Sequence, residues 1–126
     1  MLFLGSFSYA YAQLNTERIT AIGRNALYFE DYVLSIQYFN QVIKLKPYLA
    51  EPYLFRAIAK IQLEDYQGAL RDCDASIERN PFQPGAYYTR GFVYRQLSEF
   101  NLAEKDFTQA LVFAPENKTY LLLRAD

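Results

Sequence analysis

The amino-acid sequence predicts an all-α fold in which antiparallel helix pairs stack into a solenoid. Three prolines, Pro47, Pro81 and Pro115, recur every 34 residues along the 126-residue chain. Small and large side chains keep the same period in the blocks that precede these prolines. A period of about 34 residues is typical of helix–turn–helix arrays. We therefore expect each block to form one pair of helices.

Seven positions besides the proline stay in register across the three blocks. Two of them hold small residues, which let two helices approach closely, and the others hold mainly apolar residues that fill the remaining space. In chain order the columns are Ile19/Tyr53/Tyr87, Gly23/Ala57/Gly91, Tyr32/Tyr66/Phe100, Ser35/Ala69/Ala103, Phe39/Cys73/Phe107, Val42/Ser76/Ala110 and Ile43/Ile77/Leu111.

These columns resemble the tetratricopeptide repeat (TPR) family over about Thr16 to Asp126. The resemblance implies an α-solenoid that forms a right-handed superhelix of three TPR-like repeats plus a partial fourth helix. The repeats would cover residues 16–49, 50–83, 84–117 and, in part, 118–126. Ala26, Lys60 and Cys73 stand where the family usually places aromatic residues.

Helix limits follow from the apolar spacing and from the residues that start or stop helices. Pro52 and Pro84 fall at predicted helix starts, where the missing N–H costs nothing. Asp31 and Asp65 fall at turns where a carboxylate favours the next helix. Asn101 with Glu104 is a candidate capping pair. We expect helices near 16–29, 33–46, 50–63, 67–80, 84–97, 101–114 and 118–125.

The first 15 residues lack the repeat pattern and allow two interpretations. Ala10-Tyr11-Ala12 before Gln13 resembles the end of a secretory signal peptide, although no basic region precedes the apolar run. The alternative is a helical cap on the amino-terminal end of the array. The first interpretation places the protein in the periplasm or outside the cell, and the second in the cytoplasm. The run is too short to span a bilayer.

Composition argues against several classes of function. The chain has one Cys and no His, and its net charge is −1. A single cysteine excludes a disulfide framework, and the balanced charge argues against nucleic-acid binding. No nucleophile or phosphate-loop motif is present. We therefore expect no enzyme activity and no cofactor or metal, with Cys73 as a buried, unreactive thiol.

The TPR resemblance implies a concave groove, lined by the first helix of each repeat, that binds a protein or peptide segment. We expect Leu54, Ile58, Tyr88 and Phe92 to be more exposed than the aromatic residues Tyr66 and Phe100. Carried onto this chain, the groove positions are Thr20, Arg24, Leu27, Tyr28, Leu54, Ile58, Ile61, Gln62, Tyr88, Phe92, Arg95, Gln96 and Leu122.

The predicted groove indicates a non-enzymatic binding scaffold. One class of partner, the carboxy-terminal tails of chaperones, is disfavoured. Family members that capture chaperone tails use a basic clamp. Its positions here hold Thr20, Arg24, Ile58, Tyr88 and Phe92, of which only Arg24 is basic. The alternative function is a structural assembly module that stacks or self-associates through the ends of its solenoid.

Two further features generate structural expectations. The seventh and twenty-third repeat positions change together from apolar to charged, which predicts the ion pairs Arg56–Asp72 and Arg90–Asp106 between the helices of one repeat. The last residues contain Leu121, Leu122 and Leu123 where a terminal repeat would carry a polar face. We expect the chain to be a fragment of a longer array or to be covered there by another subunit.

Overall fold

A computed structural model describes the chain from Leu2 to Asn117, with side chains described from Asn15. Residues 118–126, with the predicted seventh helix, Leu122 and the three-leucine segment, lie outside the described residues. The described part contains no β-strand. Its helices are α1 Leu2–Tyr28, α2 Tyr32–Leu45, α3 Glu51–Gln62, α4 Tyr66–Arg79, α5 Pro84–Gln96 and α6 Phe100–Phe113.

The helices pack as three pairs in a row. Helix α1 packs against α2, α3 against α4, and α5 against α6, and successive pairs join through α2–α3 and α4–α5. The first helices of the pairs also contact one another, α1 with α3 and α3 with α5. The predicted all-α solenoid of helix pairs is confirmed, and the row of first helices forms one continuous face.

The predicted limits of α2 to α6 agree with the structure within one residue at each end. The predicted start of α1 near residue 16 is wrong, because α1 runs unbroken from Leu2 over 27 residues. The signal-peptide interpretation gains no support from this helix, and the amino-terminal cap stays a prediction. No helix among the described residues is long and apolar enough to cross a membrane.

The turn inside each repeat is built in the same way. Glu30, Glu64 and Ser98, at equivalent positions, have positive φ angles of 64°, 61° and 61°. The next residue in each turn donates its N–H to a carbonyl five residues earlier, at 2.8 to 2.9 Å. This left-handed closure is the common way to end a helix, although glycine usually occupies it. The sequence carries no glycine signal at these three turns.

Carboxylates cap two of the second helices. Asp31 accepts a hydrogen bond from the Leu34 N–H at 3.4 Å, and Asp65 accepts one from the Gly68 N–H at 3.0 Å. The predicted Asn101–Glu104 capping pair is wrong. Helix α6 begins at Phe100 with Glu99 as its N-cap and no side-chain hydrogen bond, because the shared turn geometry sets the start of the helix.

Complementary volumes bring the two helices of each pair together. A Cβ atom on Gly91 would lie 2.7 Å from Phe107 Cε1, and one on Gly23 would lie 2.9 Å from Phe39 Cε1. Both rings are almost fully buried. The middle repeat holds the larger Ala57 opposite the smaller Cys73, and both are fully buried in one cluster. Cys73 therefore replaces an aromatic residue where the facing residue is Ala rather than Gly.

We predict that Gly91→Ala destabilises the fold by about 1 to 2 kcal/mol, because overpacking against Phe107 outweighs the better helix propensity of alanine. Urea unfolding followed by circular dichroism measures the change. Gly85→Ala is the matched control, since its new Cβ meets only Leu54 Cδ2 at 3.6 Å. The control should leave the free energy of unfolding unchanged or raise it by up to about 1 kcal/mol. Equal effects of the two changes would contradict the complementary-volume account.

Candidate functional site

The first helices lie in a row, and a cavity opens between α3 and α5. The cavity has a volume of about 380 Å³. None of the described residues that line it is charged, and most of its lining is aliphatic or aromatic. The lining residues are Leu54, Ile58, Ile61, Gln62, Gly85, Tyr88, Thr89 and Phe92. We call this space the α3–α5 cavity.

Six of the predicted groove residues meet around the α3–α5 cavity: Leu54, Ile58, Ile61, Gln62, Tyr88 and Phe92. The sequence analysis missed Gly85 and Thr89. Gly85 could have been found from the repeat register, because it stands at the second position of the third repeat, which is one of the groove positions of the family. It was missed because glycine has no side chain and therefore adds nothing to an apolar pattern. Thr89 donates its hydroxyl to the Gly85 carbonyl at 2.7 Å, so this hydroxyl is already hydrogen-bonded.

Two depressions lie on the side of this cavity towards the amino-terminal repeat. Thr20 and Arg24 line a depression of about 360 Å³ beside α1. Thr20 also lines a wider depression of about 730 Å³, which reaches Leu54 and therefore adjoins the α3–α5 cavity. The Arg24 guanidinium lies over the Phe55 ring, 5.4 Å from its centroid. The three spaces are therefore neighbours, because Thr20 lines two of them and Leu54 lines two of them.

The other described residues of the predicted groove, Leu27, Tyr28, Arg95 and Gln96, do not line these three spaces. Tyr28 is 80% exposed, with its ring 5.1 Å from that of Phe29. Gln96 is exposed at the end of α5. The Arg95 guanidinium lies 5.7 Å from the centroid of Phe92, which does line the α3–α5 cavity. Leu122 lies outside the described residues.

The expected order of exposure is wrong at two residues. Leu54 is only 7% exposed, because α3 has α1 and α5 on either side, whereas Phe100 is 64% exposed. The equivalent Tyr66 packs against a cluster that includes Val93 of the following repeat. Phe100 belongs to the last helix pair of the described residues and has no such following pair there. Exposure at these positions therefore depends on the neighbouring repeat.

Comparisons with known proteins agree with this architecture. A profile described as a tetratricopeptide repeat matches residues 84–117, the span of the predicted third repeat. The TPR domain of OM64 from Arabidopsis superposes with a TM-score of 0.87 at 27% identity, covering 90% of this chain and 94% of that domain. The chain belongs to the tetratricopeptide repeat family.

Two other proteins are similar to this TPR chain. The first TPR domain of Spaghetti (RPAP3), solved with an HSP90 peptide, has a TM-score of 0.85 at 22% identity, covering 87% of each chain. Sperm-associated antigen 1 of Rattus norvegicus is 30% identical over 95 residues, which is 75% of this chain and 10% of that protein. The chain spans between 10% and 26% of the length of such curated relatives.

The predicted ion pairs of this TPR array are confirmed. Arg56 donates Nε and Nη2 to the two Asp72 carboxylate oxygens at 2.8 and 2.6 Å. Arg90 holds Asp106 in the same two-pronged way, at 2.8 Å for both contacts. Both carboxylates are buried, with side chains 5% and 6% exposed. Each pair joins the first and second helices of one repeat.

The same arginines also reach back to the preceding repeat. Arg56 donates Nη1 to Asn40 Oδ1 at 2.8 Å, and Arg90 donates Nη1 to Asp74 Oδ1 at 3.0 Å. Lys60, which stands where the family usually has an aromatic residue, lies 2.9 Å from Asp72. Each arginine therefore ties three helices together. We call this set of contacts the arginine ladder.

Three groups in or near the ladder have shifted pKa values. The pKa of Arg90 is raised mainly by its hydrogen bond to Asp106. Burial raises the pKa of the Cys73 thiol to about 12, which suppresses the reactive thiolate. Burial also raises the pKa of Tyr94. In the described part of the chain, no group of three His, Cys, Asp or Glu side chains could hold a metal ion.

We predict that Asp106→Asn lowers the free energy of unfolding by about 2 to 3 kcal/mol, because it leaves the half-buried Arg90 without its two-pronged partner. Denaturant unfolding measures the loss. Asp74→Asn is the matched control on the same arginine, and its effect should stay within about 0.5 kcal/mol, since Asp74 is 61% exposed.

A double-mutant cycle that combines Arg90→Gln with Asp106→Asn should give a coupling energy of about 1 to 3 kcal/mol. A coupling below about 0.5 kcal/mol would show that the pair adds nothing beyond its separate residues.

Proposed function

We propose that this TPR chain is a non-enzymatic scaffold that binds a protein or peptide segment in its concave groove. The observation that carries the proposal is the uncharged α3–α5 cavity, which lies on the face shared by the first helices. A cavity of about 380 Å³ falls within the size range of sites that bury a ligand's apolar groups. The mechanism is presentation of a fixed surface rather than chemistry.

Binding would be driven by removing apolar surface from water on both partners. Ile58, Tyr88 and Phe92 are half-buried, so each still offers side-chain surface to the groove. The Gln62 amide and the Tyr88 hydroxyl add polar groups that can orient the backbone or a side chain of the partner. The arginine ladder and the Gly–Phe contacts hold the first helices in place, which limits the ordering cost of binding.

The proposed partner differs from the chaperone tail carried by one similar structure. The Spaghetti domain is bound to an HSP90 peptide with the sequence SRMEEVD. The clamp positions implied by the family resemblance hold Thr20, Arg24, Ile58, Tyr88 and Phe92 here. Three of these are apolar or aromatic residues that line the α3–α5 cavity. The groove of this chain therefore suits apolar side chains where a tail adaptor presents cations.

The alternative proposal is a structural assembly module that self-associates through an end of the solenoid. It is favoured by Phe100 and Val112, which are 64% and 63% exposed on the last described helix. Light scattering over a range of concentrations separates the two functions. A monomer supports the groove scaffold, whereas a concentration-dependent oligomer that Phe100→Lys abolishes supports assembly.

We predict that Gly85→Leu abolishes capture of a groove partner, because its side chain would project into the α3–α5 cavity from a helix position that accepts a Cβ. Pull-downs from the native compartment compare this variant with wild type and with Gly85→Ala, which keeps most of the cavity. Phe92→Glu should act in the same direction and lower the melting temperature little.

Partners captured equally by wild type and Gly85→Leu would place their binding outside the α3–α5 cavity. A large fall in melting temperature for Phe92→Glu would show that Phe92 serves the core rather than the groove.

A further inference from the structure

Ser98 is the exposed serine of the region in which side chains are described. Ser35 and Ser76 are fully buried, and their hydroxyls donate to backbone carbonyls at 2.8 and 3.0 Å. Ser98 is exposed in the short turn between α5 and α6, and its hydroxyl makes no hydrogen bond with the other described residues. Its oxygen is therefore a nucleophile that a modifying enzyme can reach.

The turn that holds Ser98 holds a glutamate in each of the first two repeats. Glu30, Glu64 and Ser98 stand 34 residues apart, with φ angles of 64°, 61° and 61°. An acidic residue follows each of them along the chain. The turn therefore accommodates two adjacent carboxylates in repeats one and two, whereas repeat three has one carboxylate and one hydroxyl. A phosphate on Ser98 would restore the second negative charge.

Helix α6 also lacks the acceptor that caps the other two second helices. Asp31 and Asp65 accept hydrogen bonds from N–H groups of α2 and α4, whereas Glu99 makes no such bond. The first N–H groups of a helix carry partial positive charge, so an anion beside them stabilises the helix. A phosphate brings about two negative charges and three acceptor oxygens to this place.

The sequence before Ser98 fits an arginine-directed protein kinase. Arg95 precedes Ser98 by three residues, and no other arginine of this sequence has Ser or Thr three residues after it. Kinases of this class bind such an arginine with carboxylates, which pair with the fork of the guanidinium. Arg95 contacts the rings of Phe92 and Phe107. Contacts of this kind are weak at partly exposed sites, so their exchange for the carboxylates of a kinase costs little.

We propose that Ser98 is a phosphorylation site of an arginine-directed kinase, and that its phosphate takes the place of the glutamates in the two equivalent turns. The kinase transfers the γ-phosphoryl group of ATP to Ser98 Oγ. The Oγ–P bond forms, the bond from phosphorus to the ADP oxygen breaks, and the hydroxyl proton passes to a carboxylate of the kinase and then to water. The new anion stabilises the start of α6, which packs against α5 and so supports one wall of the α3–α5 cavity.

The first experiment tests whether the folded chain is the substrate. The full chain is incubated well below its melting temperature with ATP, Mg²⁺ and the catalytic subunit of cyclic-AMP-dependent protein kinase, and mass spectrometry locates the phosphate. We expect phosphate on Ser98 and none on Ser98→Asn, since asparagine lacks the hydroxyl but tolerates a positive φ. Arg95→Gln should lower the initial rate about tenfold, because a charged contact to the kinase is lost. Arg71→Gln, at an exposed arginine of α4, should leave the rate unchanged.

The second experiment measures what the phosphate does to the fold. Circular dichroism should show a rise of about 1 to 4 °C in the melting temperature on phosphorylation, because an anion beside a helix N-terminus adds a modest stabilisation. Ser98→Glu places a carboxylate there, as in the first two repeats, and should raise the melting temperature by a smaller amount. Ser98→Gln is the neutral control of matched size and should give no rise. Added salt should reduce both gains.

Every other outcome overturns the proposal. Phosphate on another residue, or on Ser98 only after thermal unfolding, would show that the folded turn is not the acceptor. An unchanged rate for Arg95→Gln would remove the arginine-directed class of kinase. Phosphorylation that leaves the melting temperature unchanged or lowers it would show that the phosphate does not act as the glutamates do. Equal shifts for Ser98→Glu and Ser98→Gln would assign the gain to side-chain size rather than to charge.

Discussion

The close approach of two helices within each repeat is the constraint on which the rest of the structure depends. Gly91 leaves room for the ring of Phe107, and Gly23 leaves room for the ring of Phe39. The middle repeat reaches a similar fit with Ala57 and Cys73. Since interiors are packed to high density, a change of one methyl group on either side is felt across the pair. The repeats therefore vary as matched pairs of residues rather than position by position.

This packing separates the two faces of each first helix. The seventh repeat position, held by Arg56 and Arg90, contacts the second helices. The groove positions two residues before it and two residues after it are rotated by about 200° from it around the helix axis, so they lie on the opposite side. The ladder thus neutralises its charges against Asp72 and Asp106 on the inner side. The opposite side is left for apolar residues. The ladder contacts and the proposed binding groove therefore lie on different faces of the same helix.

Sequence reasoning succeeded where a feature repeats within the chain. The 34-residue period located five helices to within one residue, and the joint change of two columns identified the Arg56–Asp72 and Arg90–Asp106 pairs. Both results rest on contacts inside one repeat or between equivalent positions of neighbouring repeats. Six of the predicted groove residues line the α3–α5 cavity, since the first helices present equivalent positions to one face.

The predictions that were wrong and the features that were missed share a physical cause. Each of these features depends on an interaction that the repeat register does not encode. The start of α1 lies in a segment without the repeat columns. The exposure of Phe100 depends on which pair follows it, and the left-handed turns at Glu30, Glu64 and Ser98 are imposed by the approach of the helices rather than by residue type. Gly85 lines the cavity and leaves space there because it has no side chain.

The same division explains why family membership identifies the fold more firmly than the partner. Substitutions on the inner face disturb the glycine–ring contacts or the arginine ladder. The fold itself is shared with a domain that is only 22% identical. Substitutions on the groove face, such as Ile58 or Phe92, change what the surface offers to a ligand and disturb no ladder contact. A TPR array can therefore change its partner while its scaffold stays the same. The identity of the bound segment has to be derived from the groove-face residues of this chain, such as those that line the α3–α5 cavity.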